Sequence, residues 1–164
     1  MYNVGDTVVY PMHGAGVIEE IEEHEVLGKV QKYYVMKIPY GNMKVLLPMN
    51  NVSGIGIRDV ISCDEADQVI NQFDCADMAV NANWNKRIRE NMVKIKSGNI
   101  YEVGAVVKSL MVRDRKKGLS TGERKMLANA KQIFISELVL AKNCTNDEIE
   151  RELLSIVDRQ LEEA

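Results

Sequence analysis

The sequence predicts an α+β protein of two domains, a small β-barrel followed by an all-α bundle of about five helices. The main observation is a change of period near residue 62. Before it, short β-branched and aromatic segments alternate with turn residues, and after it apolar residues recur every three or four positions. The predicted domains are residues 1–57 and 62–164, and 164 residues are enough to bury a core in each.

The first domain is predicted from short strands separated by glycine, proline and asparagine. The predicted strands are 7–10, 16–18, 33–38 and 43–47. Four or five strands at this spacing are typical of a strongly bent barrel of the SH3 or Tudor type. The acidic run 19–25 is expected to lie on a strand around Ile21 and to face solvent, which makes this half a poor surface for DNA phosphates.

The second domain is predicted from apolar stripes and helix-start signals. Ser62 with Glu65, Ser120 with Glu123, and Thr145 with Glu148 are capping-box patterns. The polar stretch 74–83 is expected to be a connector. The predicted stripes are 66–73, 84–95, 100–111, 126–138 and 149–161.

The segment 83–98 organises the second half of the chain. Asn83 is a suitable N-cap for a helix that begins with Trp84, the single tryptophan, and Gly98 is a suitable stop. Trp84, Ile88, Met92 and Ile95 are expected to share one helical face. Against one acid, Glu90, the helix carries five basic side chains: Lys86, Arg87, Arg89, Lys94 and Lys96.

Trp84 has two interpretations. At helical spacing a tryptophan is often a core anchor. Beside a cationic surface it is also suited to act as an apolar wedge between base steps, entered from the minor groove. Its position at the first turn, after a polar run, favours the wedge.

Charge is distributed unevenly along the chain. The whole chain has a net charge of −3, yet residues 84–125 hold twelve basic and four acidic side chains, a net charge of +8. This concentration predicts a cationic surface for an anionic partner. Beyond the first helical turns it includes a secondary basic patch of Lys94, Lys96, Arg113, Arg115, Lys116, Lys117, Arg124 and Lys125.

Several function classes are disfavoured by the sequence. Three cysteines without a CxxC motif and two histidines indicate neither a disulfide framework nor a metal site. No phosphate-binding loop or nucleophile motif is visible, so we expect no enzyme, no cofactor and no small-molecule ligand. No apolar run is long enough for a membrane span, and we expect a soluble, cytoplasmic protein without a membrane partner.

Three motifs stand out along the chain. Residues 4–16 read V-G-D-T-V-V-Y-P-x-H-G-x-G. Residues 83–98 read N-W-x-x-R-x-x-x-N-x-x-K-I-x-S-G, and residues 118–130 read G-L-S-x-G-E-x-x-M-L-x-x-A. Together they resemble the CarD/CdnL family of bacterial transcription regulators, whose N-terminal module is shared with the transcription-repair coupling factor. The resemblance covers essentially the whole chain in the family's domain order.

The resemblance implies a transcription factor that binds the RNA polymerase β subunit through a Tudor-like domain. It implies that the helical domain contacts promoter DNA at the upstream edge of the transcription bubble, without strong sequence specificity, and so stabilises the open complex. Trp84 would then be the minor-groove wedge next to Asn83, with Lys86, Arg87 and Arg89 on phosphates. Such a protein would be associated with the nucleoid through RNA polymerase.

The polymerase-binding face implied by the resemblance lies on the strands. Its expected residues are His24, Val26, Met43 and Leu46. The family often carries arginines where His24 and Leu46 stand here, so this face would bind through strand pairing and apolar packing rather than through cations.

Two other functions remain open at this point. One is a protein-only adaptor of the transcription machinery, with Trp84 in the core. The other is an RNA-binding elongation or antitermination factor, although the acidic barrel has few aromatic residues interleaved with basic ones.

Overall fold

A computed structural model gives the structure of residues 2–52, 54–75 and 83–163. Within these ranges five strands precede five helices, which confirms the predicted order of a small β unit and a helical bundle. The strands are β1 (Thr7–Tyr10), β2 (Gly14–Val26), β3 (Lys29–Ile38), β4 (Met43–Pro48) and β5 (Arg58–Asp59). Two 3₁₀ turns, Tyr40–Asn42 and Met49–Asn51, flank β4.

The strands form one antiparallel sheet in the order β4-β3-β2-β1-β5. The acidic run lies on a strand as predicted, since β2 continues through it to Val26 after a register shift between Ile18 and Glu20. Strand β5 was not predicted, and it carries the sheet two residues past the expected end at residue 57. Side chains from one face of the sheet build its own core: Val8, Ile18, Tyr34, Met36, Ile38 and Leu47.

The helices are α1 (Cys63–Cys75), α2 (Trp84–Lys96), α3 (Ile100–Lys117), α4 (Thr121–Lys142) and α5 (Asn146–Glu163). Ser62, Ser120 and Thr145 cap their helices as the capping-box patterns predict, since the backbone N–H of the third helical residue donates to each hydroxyl. Of the predicted connector, residues 74 and 75 belong to α1, Asn83 caps α2, and 76–82 lie outside the described residues.

Helix α4 lies at the centre of the helical half. Seven consecutive residues, 133–139, are buried, so the helix is covered on all sides over two turns. Phe134 stacks against Phe73 of α1, with ring centroids 5.8 Å apart. Gly104 allows α3 to lie close to the Phe134 ring, because a Cβ at position 104 would be 2.7 Å from that ring.

The sheet packs directly against α4. The Ala15 N–H donates to the Ser136 hydroxyl at 2.9 Å, and Gln132 Nε2 donates to the His13 carbonyl at 2.6 Å. Gly14 has φ +123°, and a Cβ there would lie 2.7 Å from Ser136 Oγ, so the first residue of β2 needs to be a glycine at this contact. The two halves are therefore joined by specific contacts as well as by the chain.

An ion pair from the end of the sheet strengthens this contact. Arg58 of β5 donates from both terminal nitrogens to the carboxylate of Glu137, each at 2.7 Å, and Glu137 is buried. The same carboxylate accepts from the Ile61 N–H at 3.1 Å. These bonds raise the pKa of Arg58 above its ordinary value, so the guanidinium stays charged.

Among the described helices, none combines the length and the apolar character that crossing a membrane requires.

Candidate nucleic-acid interface

Helix α2 begins as the sequence predicts. Asn83 Oδ1 accepts from the Lys86 N–H at 3.1 Å, which caps the first turn. The Trp84 side chain is 50% exposed, so it is not a core anchor. Its indole N–H points to the hydroxyl of Ser120, the N-cap of α4, at a long distance of 3.5 Å. The start of α2 thus places a half-exposed indole beside the start of α4.

Arg87 requires a correction of the predicted phosphate contacts. Its side chain is 4% exposed and forms a fork with Glu123 of α4, with Nε to Oε2 at 3.0 Å and Nη2 to Oε1 at 3.1 Å. A guanidinium in this position is occupied by a carboxylate inside the protein and is not presented to DNA. The sequence pattern predicts Arg87 on the cationic surface because a charged residue of a helix is normally expected on the solvent side.

The predicted apolar stripe of α2 is also only partly right. Ile95 is buried, and Ile88 and Met92 pack at the edge of the helical core. The remaining buried positions, Arg87 and Asn91, are polar. The inward face of α2 is therefore rotated towards Arg87, Asn91 and Ile95, which leaves Trp84 on its border.

Glu123 is the centre of the polar cluster at this site, and its role was missed from the sequence. It is 1% exposed, and Arg113 of α3 approaches it as well, with Nε 3.8 Å from Oε1. The hydrogen bonds from Arg87 hold the pKa of Glu123 below its ordinary value, against the effect of burial. The capping-box pattern correctly predicted Glu123 in the first turn of a helix, but such a local pattern gives no information about a partner on another helix.

The Arg87–Glu123–Arg113 cluster brings together the start of α2, the end of α3 and the start of α4. We call this region the Trp84 end of the bundle. Lys86 and Arg89 are exposed on α2, and further exposed cations lie on the adjoining helix ends. These are Lys116, Lys117, Arg124 and Lys125. Exposed basic residues thus lie on each of the three helix ends that meet at this cluster, as expected of a surface for a polyanion.

Other members of the predicted basic patch lie elsewhere or are paired. Lys94 and Lys96 are in the last turn of α2, where their positive charges interact favourably with the negative end of the helix dipole. At a rise of about 1.5 Å per residue, Lys96 is about 18 Å along the axis from Trp84. Arg115 pairs with Asp158 at 2.9 Å. Lys108, counted in the +8 segment, is buried and donates to the Asp74 carbonyl at 3.0 Å.

The four residues expected on the polymerase face do not share one surface. Directly paired strand residues lie on the same face of a sheet, and the pairs His24–Gln31 and Val35–Leu46 place His24, Val26 and Leu46 on one side. Met43 pairs with Ile38 on the opposite side, and its sulfur is 3.8 Å from Gln132 Nε2 of α4. His24 is hydrogen-bonded to Glu22 at 2.9 Å.

Strand β4 offers a different feature, an edge. Within the described residues it pairs with β3 alone, so its other side keeps free backbone donors and acceptors. Three exposed apolar side chains lie on this part of the sheet. Leu46 is on β4 itself, and Val26 and Leu27 are at the tip of the β2–β3 hairpin, which extends beyond β4. An extended segment of a partner can add to such an edge.

Within the described part of the chain, no group of histidine, cysteine, aspartate and glutamate side chains is arranged to hold a metal ion. Cys63, Cys75 and Cys144 are free thiols.

Comparison with known proteins assigns the family. Residues 2–61 match the model of the CarD-like/TRCF RID domain, and residues 68–154 match the model of the CarD C-terminal domain. The chain belongs to the CarD family, as the three sequence motifs predicted.

Two particular relatives illustrate the match. A Bacillus subtilis (strain 168) protein named "Putative transcription factor YdeB" is 39% identical over 149 residues, which cover 91% of this chain and 97% of that protein. The solution NMR structure of the 72-residue N-terminal domain of Myxococcus xanthus CarD is 32% identical and covers 36% of this chain and 79% of that one, with a TM-score of 0.32.

Proposed function

We propose that this chain binds the RNA polymerase β subunit through its N-terminal sheet and stabilises the promoter open complex through the Trp84 end. As a member of the CarD family, the chain is a transcription factor that interacts with the transcription machinery. The observation that carries the finer proposal is the half-exposed indole of Trp84 among exposed basic residues of three helix ends.

In the proposed complex, Trp84 enters the minor groove at the upstream edge of the bubble. An indole that fills an unstacked base step contributes a few kcal/mol, comparable to the cost of unstacking the step. Lys86 and Arg89 contact phosphates on either side, and Asn83 holds the helix start that presents the indole. A gain of about 1.4 kcal/mol in the open state alone slows bubble closure tenfold.

The polymerase contact is proposed at the free edge of β4. Pairing with an extended β-subunit segment would satisfy backbone groups, and Leu46, His24 and Val26 would supply side-chain contacts on one face. Met43 is left out, because it lies on the opposite face near α4.

Tethering makes a weak DNA surface sufficient. A few lysine and arginine contacts give DNA dissociation constants of about 10⁻⁴–10⁻⁶ M at physiological salt, without sequence reading. Attachment to polymerase raises the local concentration of this surface towards about millimolar. The proposed factor therefore acts at many promoters without recognising a sequence.

The fluorescence of Trp84 tests the DNA contact, because the chain has one tryptophan. We expect forked duplex DNA to quench its emission by stacking, and to do so at lower concentration than single-stranded RNA. The Val93→Ala variant is the matched control, since Val93 is an exposed apolar residue later on α2. Tighter binding of single-stranded RNA would instead support an RNA-binding factor, and no quenching by either would contradict the wedge.

A further inference from the structure

We propose that the buried pair of Arg87 and Glu123 positions the Trp84 indole for the duplex, and that Arg87 acts through this pair. This inference rests on the proposed wedge function of Trp84. It makes Arg87 and Glu123 positioning residues of the DNA surface, although neither is exposed.

Among the described residues, the beginning of α2 has no buried side chain before Arg87. Residues 83–86 are all exposed, and the apolar contacts of the helix come later, at Ile88, Met92 and Ile95. The described contact of the indole with Ser120 is long, at 3.5 Å. The first buried side chain of α2 is Arg87, one turn after Trp84.

The two bonds between Arg87 and Glu123 restrict the orientation of α2. A guanidinium that meets a carboxylate through two parallel bonds fixes both distance and angle, whereas an apolar contact permits sliding. Residues three apart on a helix lie on neighbouring positions of one side. The fork at Arg87 therefore fixes the rotation of α2 about its axis, and with it the direction of Trp84.

Glu123, which accepts the bonds from Arg87, is itself held in place at the start of α4. Glu123 is the third residue of α4, and its N–H donates to the Ser120 hydroxyl at 3.2 Å. That hydroxyl also lies 3.4 Å from Glu123 Oε1 and next to the indole. Ser120 thus connects the carboxylate that binds Arg87 with the side chain that Arg87 positions.

The experiment compares variants inside the pair with a variant on the surface. Glu123→Gln and Arg87→Lys each disturb the fork, and Arg89→Ala removes an exposed cation of the same helix. For each full-length protein we would measure Trp84 emission and acrylamide quenching, and the salt dependence of binding to forked DNA. Circular dichroism confirms that each variant is folded at the temperature used.

We expect the two pair variants to change Trp84 emission and to raise acrylamide quenching towards twice the wild-type value, since the side chain is 50% exposed in the native protein. Their slope of log affinity against log salt should equal that of the wild type. Arg89→Ala should show the reverse, with unchanged emission and a slope reduced by about 0.9.

A second variant keeps the proposal testable if single changes unfold the protein. Arg87→Met/Glu123→Leu replaces the pair by apolar residues, a change that buried pairs often tolerate. It should keep the wild-type salt slope, and a slope reduced by about 0.9 would make Arg87 a phosphate contact and overturn the proposal.

The outcomes also separate this proposal from the function on which it rests. If the wild-type protein does not bind forked DNA, the wedge function fails, while the emission and quenching data still test the positioning. If the wild type binds and Glu123→Gln and Arg87→Lys leave emission and quenching unchanged, the positioning proposal is wrong and the wedge remains.

Discussion

Trp84 and Arg87 lie one helical turn apart and have opposite surroundings. The large apolar side chain is half exposed, and the charged one is 4% exposed. A tryptophan is normally buried and an arginine normally exposed, so each departs from the usual preference of its residue type. Departures of this kind are expected at functional sites, and in the proposed mechanism Arg87 directs the exposed indole from the interior.

The pH dependence of stability reports on Glu123 directly. Because Arg87 lowers its pKa in the folded protein, the stabilisation is present above the ordinary glutamate value near 4.5 and is lost as the pH falls through the folded pKa. We expect Glu123→Gln to lower the free energy of unfolding by about 3 kcal/mol at pH 7. This difference from the wild type should shrink below about pH 4.

Urea denaturation of both proteins from pH 7 to pH 3 measures that difference. Other carboxylates with lowered pKa, such as Asp74, titrate in both proteins and cancel in the comparison. A difference in unfolding free energy that stays constant over this pH range would show that pairing with Arg87 does not lower the pKa of Glu123.

The sequence predicted Trp84 and Asn83 at the site but misassigned Arg87, for a physical reason. Capping depends on residues three apart, so Asn83 and Ser120 are readable in the sequence. The partner of Arg87 is 36 residues away, and only the packing of α2 on α3 and of α3 on α4 brings Glu123 to it.

At the scale of elements, the helix starts and the sheet edge carry the proposed contacts. Helices α1, α2, α4 and α5 begin where their caps were expected, because a cap is a local interaction. Strand β5 escaped prediction, since two residues give no period and its stability comes from pairing with β1. The proposed polymerase contact is a property of the edge of β4.

The edge makes a specific prediction for Leu46. We expect Leu46→Asp to weaken binding to the isolated β subunit about tenfold or more, because a charge replaces an apolar contact beside the paired edge. Val4→Asp serves as the control, since Val4 is also exposed and precedes β1. Titration by surface plasmon resonance would measure both, and equal affinity of Leu46→Asp and the wild type would move the contact away from this face.

At the scale of the whole molecule, the sheet and the helices are joined into one unit by α4. Ser136 and Gln132 bind the beginning of β2 and the turn before it, and Glu137 binds Arg58 of β5. The two residues of each bonded pair are 79 to 121 positions apart in the chain, so no local pattern predicts the junction. In the proposed complex the junction sets the distance between the polymerase contact and the wedge.

Breaking this junction should affect stability more than breaking a surface pair does. Arg58→Ala leaves the buried carboxylate of Glu137 without its cation, and we expect a loss of about 3 kcal/mol in the free energy of unfolding. The control Arg115→Ala removes an ion pair in which both side chains are about half exposed, at a cost of about 0–1 kcal/mol. Equal losses in urea denaturation would contradict the structural role of Arg58.

The central claim is that Trp84 acts on the promoter bubble while the sheet holds the polymerase. The lifetime of open complexes formed by purified bacterial RNA polymerase tests it most directly, in the presence of this chain, its Trp84→Ala variant or no factor. We expect the chain to lengthen the lifetime about tenfold, and the variant to lose this effect while it still binds polymerase. An equal lengthening by the variant would contradict the claim and remove Trp84 from the mechanism.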